Sequence, residues 1–264
     1  MKTSHNHLFI FAVLGQFLLN LPAQANALSF SAPDWPPFYI SKPAHNKDLY
    51  TQPGFATEII TLCSQKSNFQ VLLKELPIKR MFREMDSGDL DLNIMSFKAD
   101  RTKSLNFGKE VVFTNTYGLW TRSGLSINVQ TLSQLDGLNI VDLVGIRTSD
   151  AYRSYIDQRL SKNGSGRVTV VSSVEAIAKM LAIGRADAAV VSIPEMKFRL
   201  QKLGLSHRVT NVGFVIKSQP YYFVASKASK NLLTSPGILD RLDQCIRTIK
   251  RDGTWEKLKT SYDL

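Results

Sequence analysis

The sequence predicts an α/β protein built on a largely parallel sheet, and three observations carry that prediction. Strand-like and helix-like segments alternate from residue 28 to residue 96 in the order strand, helix, strand, helix, strand, an order that implies parallel strands joined by right-handed crossovers. A second alternating set begins near Tyr117. With 44% apolar and 21% charged residues, the composition is that of a folded chain long enough for one large domain or two lobes.

The elements follow in order. Lys2, the apolar run 8–21 and Ala23-Gln24-Ala25 read as a secretory signal ending in a small-residue cleavage site. Gly15, Gln16 and Asn20 interrupt the run, which falls short of the about twenty apolar residues that a membrane span needs. Cleavage after Ala25 or Ala27 predicts a periplasmic chain, with no cysteine at the site to take a lipid. Residues 28–32 read as a strand. Pro33-Asp34-Trp35-Pro36-Pro37-Phe38-Tyr39 must be a loop, because three prolines exclude both helix and inner strand. Helix 54–68 and strand 69–76 come next, then a helix with Pro77 at its first position, the stripe Ile78, Met81, Phe82 and Met85, and Gly88 as its stop.

Leu90, Leu92 and Ile94 alternate as one face of a strand, and the polar stretch 95–101 ends it. The second set reads as short helix 132–135, strand 138–143, helix 149–160, polar loop 161–167, strand 168–171, helix 174–183, strand 186–191 and helix 194–203. Strand 221–225 and the helices 238–250 and 254–262 complete the chain.

The two cysteines, Cys63 and Cys245, each fall on an apolar helical stripe. In an oxidising compartment two buried thiols that meet become a disulfide, which is the expectation here; two separate thiols are the alternative, because sequence does not give their separation. Neither these residues nor the four histidines have metal-ligand spacing, so no metal or cofactor is expected. The net charge of +11 can attract an anionic ligand or surface. It forms no basic run of the kind that marks a nucleic-acid arm.

Residues 87–107 read S-G-D-L-D-L-N-I-M-S-F-K-A-D-R-T-K-S-L-N-F. This resembles the extracytoplasmic solute-binding proteins of the polar amino acid ABC-transporter type (bacterial solute-binding protein family 3), whose pattern is G-x-x-D, an apolar strand, S-x-T-x-x-R, then Phe. Gly88, Asp91, Ser96, Arg101 and Phe107 take those positions, and G-R-A-D-A-A-V-V at 184–191 and R-D-G-T-W-E-K-L at 251–258 extend the resemblance over nearly the whole mature chain. The resemblance implies a two-lobed periplasmic binding protein fold of type II: lobe one from 28–115 plus 219–264, lobe two from 116–218, and a ligand cleft between them that closes about a hinge. It also implies that Arg101 clamps a ligand carboxylate, that Ser96 adds a second contact and that Trp35 stacks on the ligand. Arg80, which opens a helix directly after a strand, is a further candidate.

Several positions depart from the family pattern. Lys98 stands where amino-acid binders carry Thr, Ser192 where they carry the Asp for the ligand ammonium, and Gly145-Ile146-Arg147-Thr148 where small hydroxyl residues are usual. Lys98 and Arg147 beside Arg101 predict a cationic site that favours an organic acid over a zwitterion, with Glu195 as the counter-candidate for the missing Asp. The implied function is capture of a small carboxylate-bearing ligand, amino acid or organic acid, by a monomer that serves an ABC permease or a membrane sensor. No G-x-S-x-G, H-E-x-x-H or phosphate-loop motif occurs, so no catalysis is expected. The enzyme alternative is a cyclohexadienyl-dehydratase-like activity on the same fold, with Glu195 as its acid.

Overall fold

A computed structural model describes residues 27–40, 52–125, 127–146, 148–161 and 167–264. The expected leader, Arg147 and the loop residues 162–166 lie outside the described residues. In chain order the elements are β1 (Ala27–Ser31), α1 (Phe55–Lys66), β2 (Gln70–Lys74), α2 (Ile78–Ser87), β3 (Leu92–Ser96), β4 (Leu105–Arg122), β5 (Ile140–Leu143), α3 (Asp150–Ser161) and β6 (Val168–Val171). They continue as α4 (Val174–Ala182), β7 (Ala188–Ser192), α5 (Ile193–Lys202), β8 (Val209–Ser226), α6 (Ile238–Arg251) and α7 (Thr254–Ser261). A 3-10 turn at Ala99–Lys103 follows β3.

The strands form one sheet in the order β2-β1-β3-β8-β4-β7-β5-β6. Its outer parts are parallel, as the alternating segments predict: β1 with β2 and β3, β5 with β6 and β7. The middle differs from the expectation, since β4 and β8 are 18-residue strands that pair antiparallel from Leu105↔Ser226 to Arg122↔Val209 with several register shifts. The sheet is therefore mixed, and two long strands carry the chain between lobes. Pro77 is also displaced from its expected place: it caps α2 instead of opening it, with Gly88 in the left-handed conformation at the other end.

Each lobe has its own core. Phe30, Phe55, Ile59, Phe223, Leu242 and Ile246 are fully buried in one; Ile177, Leu181, Met196 and Leu200 lie in the other, with Trp120 and Val191. Burial of each large side chain contributes roughly 1.5–3 kcal/mol, and the disulfide Cys63–Cys245 links α1 to α6 at a Cα separation of 5.6 Å. A buried carboxylate ties the first lobe together: Asp91 accepts hydrogen bonds from the Ser29 amide at 2.7 Å and hydroxyl at 2.9 Å, and from Ser229 and Asn231. Gly88 is equally constrained, because a Cβ there would stand 2.5 Å from the Ala228 carbonyl oxygen. Two residues of the recognised pattern are thus structural.

Candidate functional site

Strand ends bring the site together, because in a parallel α/β lobe the loops after the strands share one edge. The loop after β1 is pinned by reciprocal backbone bonds between Trp35 and Tyr39, at 3.0 and 2.9 Å. Phe38 stacks on Phe113 at 4.1 Å and is wholly buried. Trp35 packs on Tyr221 at 5.3 Å and lines a cavity of about 680 Å³.

Ser96 ends β3, and the 3-10 turn that follows returns Arg101 toward it. The Arg101 guanidinium donates through Nη1 to the Ser96 carbonyl at 2.7 Å and hydroxyl at 3.1 Å, and lies 4.8 Å from the centre of the Phe82 ring. Burial lowers its pKa, opposed by Tyr221 and Asp100, although an arginine stays charged in any protein environment. Both contacts use one nitrogen, which leaves the remaining donors of the fork for a carboxylate. Ser96 and Arg101 both line the cavity.

The long strands supply its floor. Tyr117 on β4 and Tyr221 on β8 are hydrogen-bonded to each other, Tyr221 also to Ser96 and Tyr117 to Asn115. Burial raises both hydroxyls above the ordinary tyrosine value, Tyr117 far above it, so at neutral pH they are neutral hydrogen-bonding groups.

From the second lobe, Ser192 caps α5 by accepting from the Glu195 amide at 3.4 Å and donates to Asn115 Oδ1 at 2.7 Å. It lines the cavity but its hydroxyl is occupied by the scaffold. Glu195 lies one turn on. Its carboxyl pKa is pushed up to about 8 by burial, a shift opposed by Arg199 and reinforced by Glu175 and Asp34, while the Trp35 indole hydrogen-bonds to it. Arg199 reaches across the cleft to Asp34 at 3.1 Å and to Glu175 on α4 at 2.6 Å. Burial, which lowers its pKa, is outweighed by those two carboxylates. On β5, Asp142 is raised by burial against the opposing charge of Arg153 at 3.1 Å.

Of the residues singled out in the sequence, the structure gathers Trp35, Ser96, Arg101 and Ser192 around one cavity. Lys98 and Arg80 are not part of its lining. Lys98 is an exposed, extended residue just before the 3-10 turn, and Arg80 lies on the exposed face of α2, held by Glu84 at 2.6 Å. The cavity's described lining contains Arg101 and Arg199 as its cations against Asp34, Glu75, Asp142, Glu175 and Glu195, so the expected row of three cations loses its basis. Tyr117, Tyr221 and Arg199 escaped the sequence reading. Only Arg199 left a trace there, as a basic residue one turn after Glu195 on a predicted helix. Among the described residues no group of side chains could hold a metal ion and no helix is long and apolar enough to cross a membrane.

Comparison with known proteins gives the same picture. A model of the bacterial extracellular solute-binding proteins, family 3, matches residues 30–263. No curated protein matches the sequence. Solved structures that resemble it include a probable amino-acid ABC transporter extracellular-binding protein from Bacillus subtilis, with TM-score 0.69 and 16% identity over 90% of this chain and 97% of that one. A histidine kinase sensor domain with similarity to periplasmic binding proteins aligns with TM-score 0.67 and 16% identity, over 90% and 96% of the two chains. An ancestral amino acid-binding protein described as a precursor of cyclohexadienyl dehydratase aligns with TM-score 0.66 and 16% identity, over 90% and 95%. At these identities the likeness shows the fold alone.

Proposed function

The chain belongs to the bacterial extracellular solute-binding proteins, family 3, and from that membership we propose that it captures a small carboxylate-bearing ligand of the amino-acid type in the periplasm. The carboxylate pairs with Arg101, Trp35 forms a wall of the site, and closure of the two lobes encloses the ligand. Capture serves either an ABC permease or a membrane sensor. We place the lobe boundaries at 115/116 and 218/219, where Asn115 pairs with Gln219 along the crossing strands.

One observation carries this reading: Arg101, already oriented by Ser96 and Phe82, lines a cavity between two independently packed lobes. The balance of charge favours a zwitterion over a simple acid, because Glu195 has the carboxylate to receive an ammonium. That carboxylate is costly to bury, and an ammonium beside it offsets the cost.

Glu195 also supports a second reading. A carboxyl with a pKa of about 8 holds a proton at neutral pH and could deliver it to a departing group, as a dehydratase acid would. One experiment separates the two. Compounds retained by the protein purified from periplasm are identified by mass spectrometry, then returned to fresh protein. Recovery of an unchanged amino acid supports capture; recovery of a dehydrated product supports catalysis; no retained or rebinding carboxylate refutes the capture reading.

A further inference from the structure

The cavity is several times larger than a minimal amino acid requires. At about 680 Å³ it has the volume of roughly twenty water molecules. Strand order divides it into two ends. β3 and β7 flank the central β8–β4 pair, whereas β2 and β5 lie further out. Ser96, Arg101, Ser192 and Glu195 follow the inner strands and make a polar end. Residues following the outer strands make the other.

Apolar side chains from both lobes line that outer end, with Glu75 as its exposed acid. Ile78 at the start of α2 is 49% exposed and Val144 after β5 is 58% exposed, and both line the same cavity from opposite lobes, with Leu76, Pro77, Leu143 and Ile146 beside them. Single exposed apolar side chains need no explanation. Two that share one cavity from opposite lobes are brought toward burial whenever the lobes close on a ligand that fills the space between them.

The acidic residues of the lining do not make this end a cation subsite. Asp142 is held by Arg153 at 3.1 Å, and Glu175 and Asp34 are held by Arg199 at 2.6 and 3.1 Å. Their charges are already compensated, and Glu75, the remaining acid at this end, is exposed, where pairing with a cation is worth about 1 kcal/mol at most.

We propose that the outer end is a subsite for an apolar arm, so that the ligand is a carboxylate-headed molecule carrying a hydrocarbon chain or ring. The inference rests on the reading that Arg101 takes the carboxylate, and its test separates the two. The protein is titrated by calorimetry with L-alanine, L-norleucine, L-lysine and hexanoate. L-norleucine should bind at least tenfold more tightly than L-alanine, as its extra methylene groups predict even if partly buried, and L-lysine no more tightly than L-alanine. Ile78→Ser and Val144→Ser should each erase several-fold of the norleucine advantage while leaving alanine affinity unchanged; both positions are exposed, and thermal melting checks that the variants fold. Equal affinity for alanine and norleucine, tighter binding of lysine than norleucine, or an advantage untouched by both substitutions overturns the apolar subsite and leaves the carboxylate reading standing. If none of the four compounds binds, the carboxylate reading fails and takes the subsite with it.

Discussion

Replacing Glu195 by Gln should flatten the pH dependence of stability across the neutral range. The Glu195 carboxyl titrates near pH 8 in the folded chain against an ordinary value of 4.5, so between these values the folded state holds a proton that the unfolded state has released. Stability then falls as pH rises, by about 1.4 kcal/mol per pH unit, from full value below pH 4.5 to a loss of roughly 5 kcal/mol above pH 8. Arg199, Glu175, Asp34 and Trp35 all act on this group, and Glu195→Gln keeps each neighbour while removing the proton equilibrium. For a chain of this size 1 kcal/mol moves the melting temperature by about 2–4 °C. Asp142, also raised by burial, contributes in the same direction in both proteins, so the difference between their melting curves isolates Glu195. Melting followed by circular dichroism at half-unit steps from pH 5 to 8 should show the variant gaining on the parent by roughly 3–5 °C per pH unit. Parallel curves would refute the claim that Glu195 is buried as a neutral acid.

Three further outcomes are expected. Arg101→Ala, which removes one partner of a charge-assisted pair, should weaken binding of the identified ligand by about 30-fold or more with the fold intact; unchanged affinity by calorimetry removes Arg101 from the site. Reducing the Cys63–Cys245 bond, whose partners lie 182 residues apart, should cost about 2–4 kcal/mol and lower the melting temperature by roughly 5–15 °C, and a melting curve indifferent to reductant would contradict it. Asp34→Asn should enlarge the radius of gyration of the unliganded protein in X-ray scattering and speed ligand release about fivefold, the value of a half-exposed ion pair of about 1 kcal/mol. Identical scattering and release rates would show that the Asp34–Arg199 contact does not hold the lobes.

The alternating order was legible in the sequence because each helix carries its own apolar stripe; Ile238, Leu242, Cys245, Ile246 and Ile249 on α6 are all buried as their spacing requires. β3 shows where pattern reading stops short. Alternation of Leu90, Leu92 and Ile94 implies one buried face, yet all five residues of β3 are buried, since it runs inside the sheet. The polar Asn93 is tolerated there by bonding the Ile94 amide at 2.7 Å and the Ser31 carbonyl at 3.3 Å. β4 and the part of β8 before Tyr221 were invisible for another reason. Their stability comes from each other across about a hundred residues, and glycines, Pro220 and register shifts break the period-two pattern along both. The recognised motif mixes roles that spacing cannot separate: Gly88 and Asp91 hold the lobe, while Ser96 and Arg101 line the cavity.

Arg199 escaped detection because its role depends on contacts between the lobes. Trp35 packs with the first core, whereas α5 places Met196 and Leu200 in the second, and the contacts of Trp35 with Glu195 and Asp34 with Arg199 join the two. One loop therefore supplies both an aromatic wall of the site and the ion pair that spans it. With Asp34 48% exposed, that pair contributes about 1 kcal/mol at most. Such a bias shifts the lobes toward closure only about fivefold, and a ligand that contacts Arg101 on one side and Glu195 on the other has several times that energy to complete it. Closure driven by occupancy then follows from a weak internal clasp placed beside a strong ligand contact.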